Sequence, residues 1–244
     1  MSQIFRYPDA DAAAVACGEQ ILKLLEEARQ RKQGREPVSI AISGGSSPKP
    51  LFSFFATAPF DWSDIHIFWV DERHVPIDNP QSNYRLANLL WLAPAVVPAE
   101  NIHRVPVELP PPDAAAAYAR LIRQAFGLKG DTLPGFDVIH LGMGPDGHTA
   151  SLFPGEPRIS DRASIAAAVW AEKFQQWRIT LLPGVLLAAQ HIVVLAPGAE
   201  KAEVLSKVFE DSTDSMQIPA HLVTGPQSLW FVDQAAMGEA SGKS

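Results

Sequence analysis

Asp146 and His148 sit two residues apart in Gly142-Met143-Gly144-Pro145-Asp146-Gly147-His148-Thr149, a glycine-rich run directly after a strand-like segment. An imidazole exchanges protons near neutral pH, and a carboxylate beside it fixes its tautomer and supports its protonated form. The same run contains Gly-x-Gly-x-x-Gly, the pattern of a dinucleotide site. Pro145 inside the turn, Pro154 beyond it and the lack of a second strand ending in an acid argue against that reading. A second run, Ser43-Gly44-Gly45-Ser46-Ser47-Pro48, joins a strand to a helix. Glycines there let backbone approach a ligand, and the helix start offers free N–H groups to an anion. The alternative is a plain tight turn. Ser46 is not in a nucleophile elbow, because Gly-x-Ser-x-Gly fails at Pro48.

Asp71-Glu72-Arg73-His74 follows an apolar stretch. Its carboxylates suit proton transfer, and Arg73 suits a two-pronged grip on an oxyanion; the alternative is a solvated charged turn. Arg178 and Lys201 are a later cationic pair. Lys201 falls in the first turn of a helix, where it opposes the dipole unless an anion is bound. On spacing alone it reads as a surface lysine. The other histidines, His66, His74, His103, His140, His191 and His221, show no metal-ligand spacing. His66 and His140 fall inside strands and read as structural.

Alternating strands and helices position these runs. Helices are predicted from Asp9 or Asp11 to Lys32, with Gly34 and Pro37 ending the first, and over Pro48–Thr57 with Ser47 as cap. Further helices fit 83–92, 113–126 and 199–209. Strands fit Val38–Ile42, Ile65–Asp71, Ile102–Val107, Phe136–Leu141, 164–170, 178–182, His191–Ala196 and Leu229–Val232. That alternation defines an α/β protein with a mainly parallel, Rossmann-like sheet and helices on both faces. Ligands of such sheets bind beyond the strands' carboxyl ends. The loops 43–47, 71–83 and 142–151 are therefore expected at one edge. No linker interrupts the chain, so residues 1–244 are expected to form one domain.

Composition narrows the partners. Lys and Arg number 20 against 27 Asp and Glu, a net charge of −7, so no nucleic-acid partner is expected. The single cysteine, Cys17, excludes an internal disulfide and fits a reducing compartment. There is no signal-peptide pattern and no apolar run long enough for a bilayer, so a cytoplasmic protein without membrane contact is expected.

Together the quoted runs, with Ser82-Asn83-Tyr84, the extension to Gly155 and Pro197-Gly-Ala-Glu-Lys-Ala202, resemble the 6-phosphogluconolactonases of the glucosamine-6-phosphate isomerase/6-phosphogluconolactonase family. The resemblance spans most of the chain. It implies a glucosamine-6-phosphate deaminase-like fold and hydrolysis of a sugar phosphate lactone, without metal or cofactor, by a monomer or small homo-oligomer. It implies catalytic roles for His148 as base, Asp146 as its orienting partner and Arg73 as substrate contact. Substrate binding falls to Ser43, Gly44, Gly45, Ser46, Asp71, Asn83, Arg178 and Lys201. Ser47, Leu182 and Gly184 depart from the family pattern. Deaminases of this fold carry an acid five residues after the loop histidine, where this chain has Phe153, and Asp-Glu-Tyr in place of Asp71-Glu72-Arg73. A non-catalytic sugar-phosphate sensor is the competing class, but it would need a DNA-binding segment, for which the chain shows no basic helix and no spare length.

Overall fold

The computed structural model describes residues 2–238. Its strands are β1 (Gln3–Tyr7), β2 (Val38–Ile42), β3 (Ile65–Trp69), β4 (Asp71–Arg73), β5 (Ile102–His103), β6 (Val138–Gly142), β7 (Ala166–Ala171), β8 (Gln176–Leu181), β9 (His191–Leu195) and β10 (Ser228–Asp233). Its helices are α1 (Ala10–Lys32), α2 (Lys49–Thr57), α3 (Asn83–Ala87), α4 (Pro111–Ala125), α5 (Pro183–Leu187) and α6 (Ala202–Val208). Seven strands form one sheet in the order β1-β10-β9-β6-β2-β3-β5, with parallel pairing throughout. This is the α/β, Rossmann-like class expected.

Burial explains the sheet's centre. All five residues of β2, Val-Ser-Ile-Ala-Ile, are buried, as parallel strands covered on both faces are. Helix α1 packs along β2, β9 and β10. Asp9 caps it by accepting from the Ala12 N–H, and Gln33 ends it in the left-handed region at φ 51°. Ile21, Leu24, Leu25 and Ala28 recur on its buried stripe. Gly18 is needed where α1 meets α2, since a Cβ there would lie 2.5 Å from the Phe54 ring.

Connections from β2 run outward to β3, while those from β6 run the other way to β9. The topological switch point therefore lies between β2 and β6, and the crevice beyond their carboxyl ends is where ligands of such sheets bind. Ile42 pairs with both Trp69 and His140, and Gly142 pairs with Leu195. This register brings the loops after β2, β3, β6 and β9 out at one edge.

Several expectations change. The run Ile65–Asp71 is not one strand. Val70 ties the two sheets together: its N–H donates to the Ile42 carbonyl, and its own carbonyl accepts from Leu181 N–H. Asp71–Arg73 then joins a separate antiparallel sheet, β4-β8-β7, that the sequence reading did not foresee. The expected strand at Ile102–Val107 is only Ile102–His103, because Val105 and Val107 turn away in a tight loop. Ser47 is not the cap of α2. Pro48 holds that position without a side-chain bond, and the Ser47 hydroxyl faces Lys201 instead. Strand β1 and the short helix α5 were missed; β1 is an edge strand whose only partner among the described residues is β10, more than two hundred residues on.

Candidate active site

At the switch point a cavity of about 260 Å³ opens. Ser43, Gly44, Gly45, Ser46, Asp71, Arg73, Asn83, His148, Arg178 and Lys201 all line it. Asp146 does not; it stands behind His148 and grips it. Thus the three loops converge as expected, and ten of the eleven residues singled out from sequence reach one cavity.

The loop after β6 is shaped to hold the imidazole. Its hairpin closes through Gly144 N–H to the His148 carbonyl and Gly147 N–H to the Gly144 carbonyl. A Cβ on Gly144 would stand 2.1 Å from the His148 ring, so only glycine leaves the ring room. His148 Nδ1 meets Asp146 Oδ1 at 2.5 Å, and Lys173 Nζ reaches Asp146 Oδ2 at 3.2 Å. Burial pushes the Asp146 carboxyl up, but the His148 hydrogen bond and charge, with Lys173, outweigh it and hold the group well below the usual carboxylate range. An ionised Asp146 can only accept, so Nδ1 is the donor in this pair, and in the neutral ring the lone pair falls to Nε2. Phe153 lays its ring against His148, centroids 4.7 Å apart, and so no carboxylate enters from that position.

The cationic wall comes from both sheets. Arg73 on β4 and Arg178 on β8 are cross-strand partners. Arg73 Nη1 donates to the Gln81 carbonyl. Arg178 stacks on Phe174, 5.1 Å from its centroid, and has no carboxylate within 4 Å among the described residues. Burial, then the neighbouring Arg73, push Arg178 down to about 10, which leaves it charged at neutral pH. Lys201 is buried at 4% exposure, donates to Ser47 Oγ at 3.3 Å, and has Glu200 no nearer than 4.0 Å. Burial lowers its pKa, against the opposing pull of Glu200 and Asp233. A desolvated ammonium whose hydrogen bond goes to a neutral hydroxyl is suited to an incoming anion.

Asp71 and Glu72 serve the walls. Asp71 Oδ2 accepts from Ser151 Oγ at 2.6 Å, tying the loop after β6 to β4. Glu72 is 3% exposed and accepts from the N–H groups of Arg73, Asn83 and Tyr84, which anchors the start of α3. Asn83 donates to the Asp71 carbonyl and packs against Gly44, where a Cβ would lie 2.1 Å from Asn83 Oδ1. Sequence reasoning missed Lys173 and Phe174 at the β7–β8 turn, and His140 in the floor. No motif marks the first two. Among the described residues no group of three or more His, Cys, Asp or Glu could hold a metal ion.

A switch-point crevice with three converging cations and a carboxylate-backed imidazole defines an α/β enzyme site for a small anionic molecule. The family described as glucosamine-6-phosphate isomerases/6-phosphogluconolactonase matches residues 8–231, and the chain belongs to it. It is 37% identical over 229 residues to the 6-phosphogluconolactonase of Synechocystis sp., covering 93% of this chain and 91% of the relative. Against the 6-phosphogluconolactonase of Homo sapiens it is 37% identical over 211 residues, 83% and 80% of the two chains. The solved 6-phosphogluconolactonase from Trypanosoma cruzi aligns at TM-score 0.87 and 25% identity, over 98% of this chain and 97% of that one. A monomeric glucosamine-6-phosphate deaminase shares the fold, at TM-score 0.76 and 16% identity over 97% and 99%. The protein is accordingly an enzyme of the family's lactone-hydrolase branch.

Proposed function

We propose that the protein hydrolyses 6-phospho-D-glucono-1,5-lactone to 6-phosphogluconate, a step of the oxidative pentose phosphate pathway, with His148 as general base. The observation that carries this reading is the Asp146–His148 pair on the rim of a cavity walled by Arg73, Arg178 and Lys201. Lys201, Arg178 and the Ser43–Ser46 turn take the phosphate. His148 Nε2 then removes a proton from water as the water oxygen bonds to the lactone carbonyl carbon. Arg73 and nearby loop amides face the oxyanion. When the tetrahedral adduct collapses, the bond from that carbon to the ring oxygen breaks, and the imidazolium returns its proton to the leaving oxygen. The new carboxylic acid ionises and releases one proton per turnover. General base catalysis is worth roughly 10²–10⁴ in rate, and binding of the remote phosphate supplies orientation.

The substrate is small and needs no nucleic acid or membrane, and no described helix is long and apolar enough to cross a bilayer. A buried Cys17 thiol, raised by that burial, suits a cytoplasmic setting. The chain acts as one domain, as a monomer or small homo-oligomer. The test is acid release from added lactone above its spontaneous hydrolysis. His148→Ala is expected to lose at least a hundredfold in kcat while still binding 6-phosphogluconate. Turnover near that of the parent would remove His148 from the chemistry.

A further inference from the structure

His140 is an imidazole in the wrong surroundings for a structural residue. It is 1% exposed in the middle of the parallel sheet, and neither Nδ1 nor Nε2 has a hydrogen-bond partner. Buried polar groups in folded proteins are paired in the great majority of cases, and leaving one unpaired destabilises the fold. Yet His140 also lines the cavity. Its position explains how. It pairs with Ile42 on one side and Val193 on the other. Gly142 follows two residues later, hence on the same face and one pleat nearer the cavity. Gly142 has no side chain, and a Cβ placed there would approach only the Leu195 carbonyl, at 4.0 Å. Gly142 thus puts no side chain of its own between His140 and the cavity that His140 lines.

The neighbourhood carries the same signature. Besides His140, the buried side-chain atoms without a partner are Ser43 Oγ, Arg73 Nε, Asn83 Oδ1, Arg178 Nε, Ser228 Oγ and four indole nitrogens among the described residues. Apart from Ser228 and the indoles, every one belongs to a residue lining this cavity. Unpaired polarity concentrated around one cavity is polarity held for a ligand.

Resting on the lactonase reading above, we infer that His140 is a substrate-binding residue that hydrogen-bonds a sugar hydroxyl from the cavity floor. A neutral imidazole offers one N–H donor and one lone pair, the complement of a hydroxyl, which also donates and accepts. Burial pushes the ring down to about 3, so it is neutral at working pH and does not compete with the cations for phosphate. It contributes selectivity for the polyol part of the substrate, and Lys201 and Arg178 hold the charged end.

Two apolar variants, His140→Leu and His140→Met, and one polar variant, His140→Gln, test this. Melting temperature, kcat and KM for the lactone, and calorimetric Kd for 6-phosphogluconate and for inorganic phosphate are measured on each. Either apolar variant that folds is expected to melt no lower than the parent, because it removes an unpaired buried polar group. It is expected to lose about tenfold in kcat/KM and in 6-phosphogluconate affinity, through KM more than kcat, with phosphate affinity within twofold. His140→Gln, which keeps a donor and an acceptor, recovers part of the loss. Unchanged kcat/KM and Kd in a folded apolar variant, or an equal loss for inorganic phosphate, overturns the assignment. A parent protein that binds 6-phosphogluconate but does not turn over the lactone would instead refute the lactonase reading, and the binding comparison would still decide His140.

Discussion

Asp146→Asn separates orientation of the imidazole from its presence. In the parent, the Asp146 carboxylate accepts from His148 Nδ1 at 2.5 Å and also takes Lys173. Asparagine keeps the size and one acceptor oxygen, but it loses the charge and gains an N–H₂ donor. If that donor faces Nδ1, the proton moves to Nε2 and no base faces the water. If the amide oxygen faces Nδ1, the base survives but its imidazolium is no longer stabilised. A hydrogen bond to a charged group is worth about 1.5–3 kcal/mol. The Asp146 side chain is 28% exposed and His148 22%, so solvent screens part of that. About 1–2 kcal/mol remains, and at 1.36 kcal/mol per decade kcat should fall roughly 5- to 30-fold. KM should hardly move, since Asp146 does not line the cavity. The assay is initial-rate acid release over a range of lactone concentrations, with the spontaneous rate subtracted at each. A kcat within twofold of the parent refutes the argument, and so does a loss borne wholly by KM.

Two other outcomes follow from the same geometry. Gly144→Ala places a methyl 2.1 Å from the His148 ring and 2.8 Å from Asp146 Oδ1, so kcat should drop at least tenfold with the melting temperature nearly unchanged; full activity would show that the loop yields. Burial depresses Lys201 below the ordinary lysine value, so its charge is lost on the alkaline side earlier than for a solvated lysine. Calorimetric affinity for 6-phosphogluconate should therefore weaken as pH rises through that depressed value. Lys201→Met should bind at least tenfold more weakly and lose this alkaline limb. An identical limb in the variant would assign it to another group.

What could be read from the chain alone divides by the range of the interaction that makes it. The Ser43 and Gly142 loops were legible because glycines, a strand and a helix start are all local features, and their convergence followed from parallel pairing. Asp71–Arg73 was not legible as a strand. Three polar residues carry no strand periodicity, and β8, more than a hundred residues later, makes them one. Strand β1 had the same difficulty at the sheet edge, where exposed and half-buried residues blur the pattern. His140 was read as a structural residue because it falls inside the strand Phe-Asp-Val-Ile-His-Leu. Its access to the cavity depends on the missing side chain at Gly142 and on the register with β2 and β9. Lys201 looked like a surface lysine, since nothing near it in sequence shows that the Ser47 loop covers it.

The two sheets divide the labour of the site. The parallel sheet supplies a floor that cannot shift easily, because β2 and β6 are buried nearly throughout and their register is held on both sides. The antiparallel sheet supplies Arg73 and Arg178, and its β7–β8 turn brings Lys173 to Asp146 and Phe174 to Arg178. Val70 and the Ser151–Asp71 bond join the two, so the loop that carries His148 is tied to the strand that carries Arg73. Between them Ala150 holds φ at 52°, a conformation that costs an alanine about 1–3 kcal/mol. That strain falls in the loop carrying His148, on the residue before Ser151. The Ser151 bond to Asp71 and its N–H bond to Thr180 Oγ1 hold the strained turn closed. The loop is thereby preorganised by the second sheet, and the imidazole is held in place before any ligand arrives.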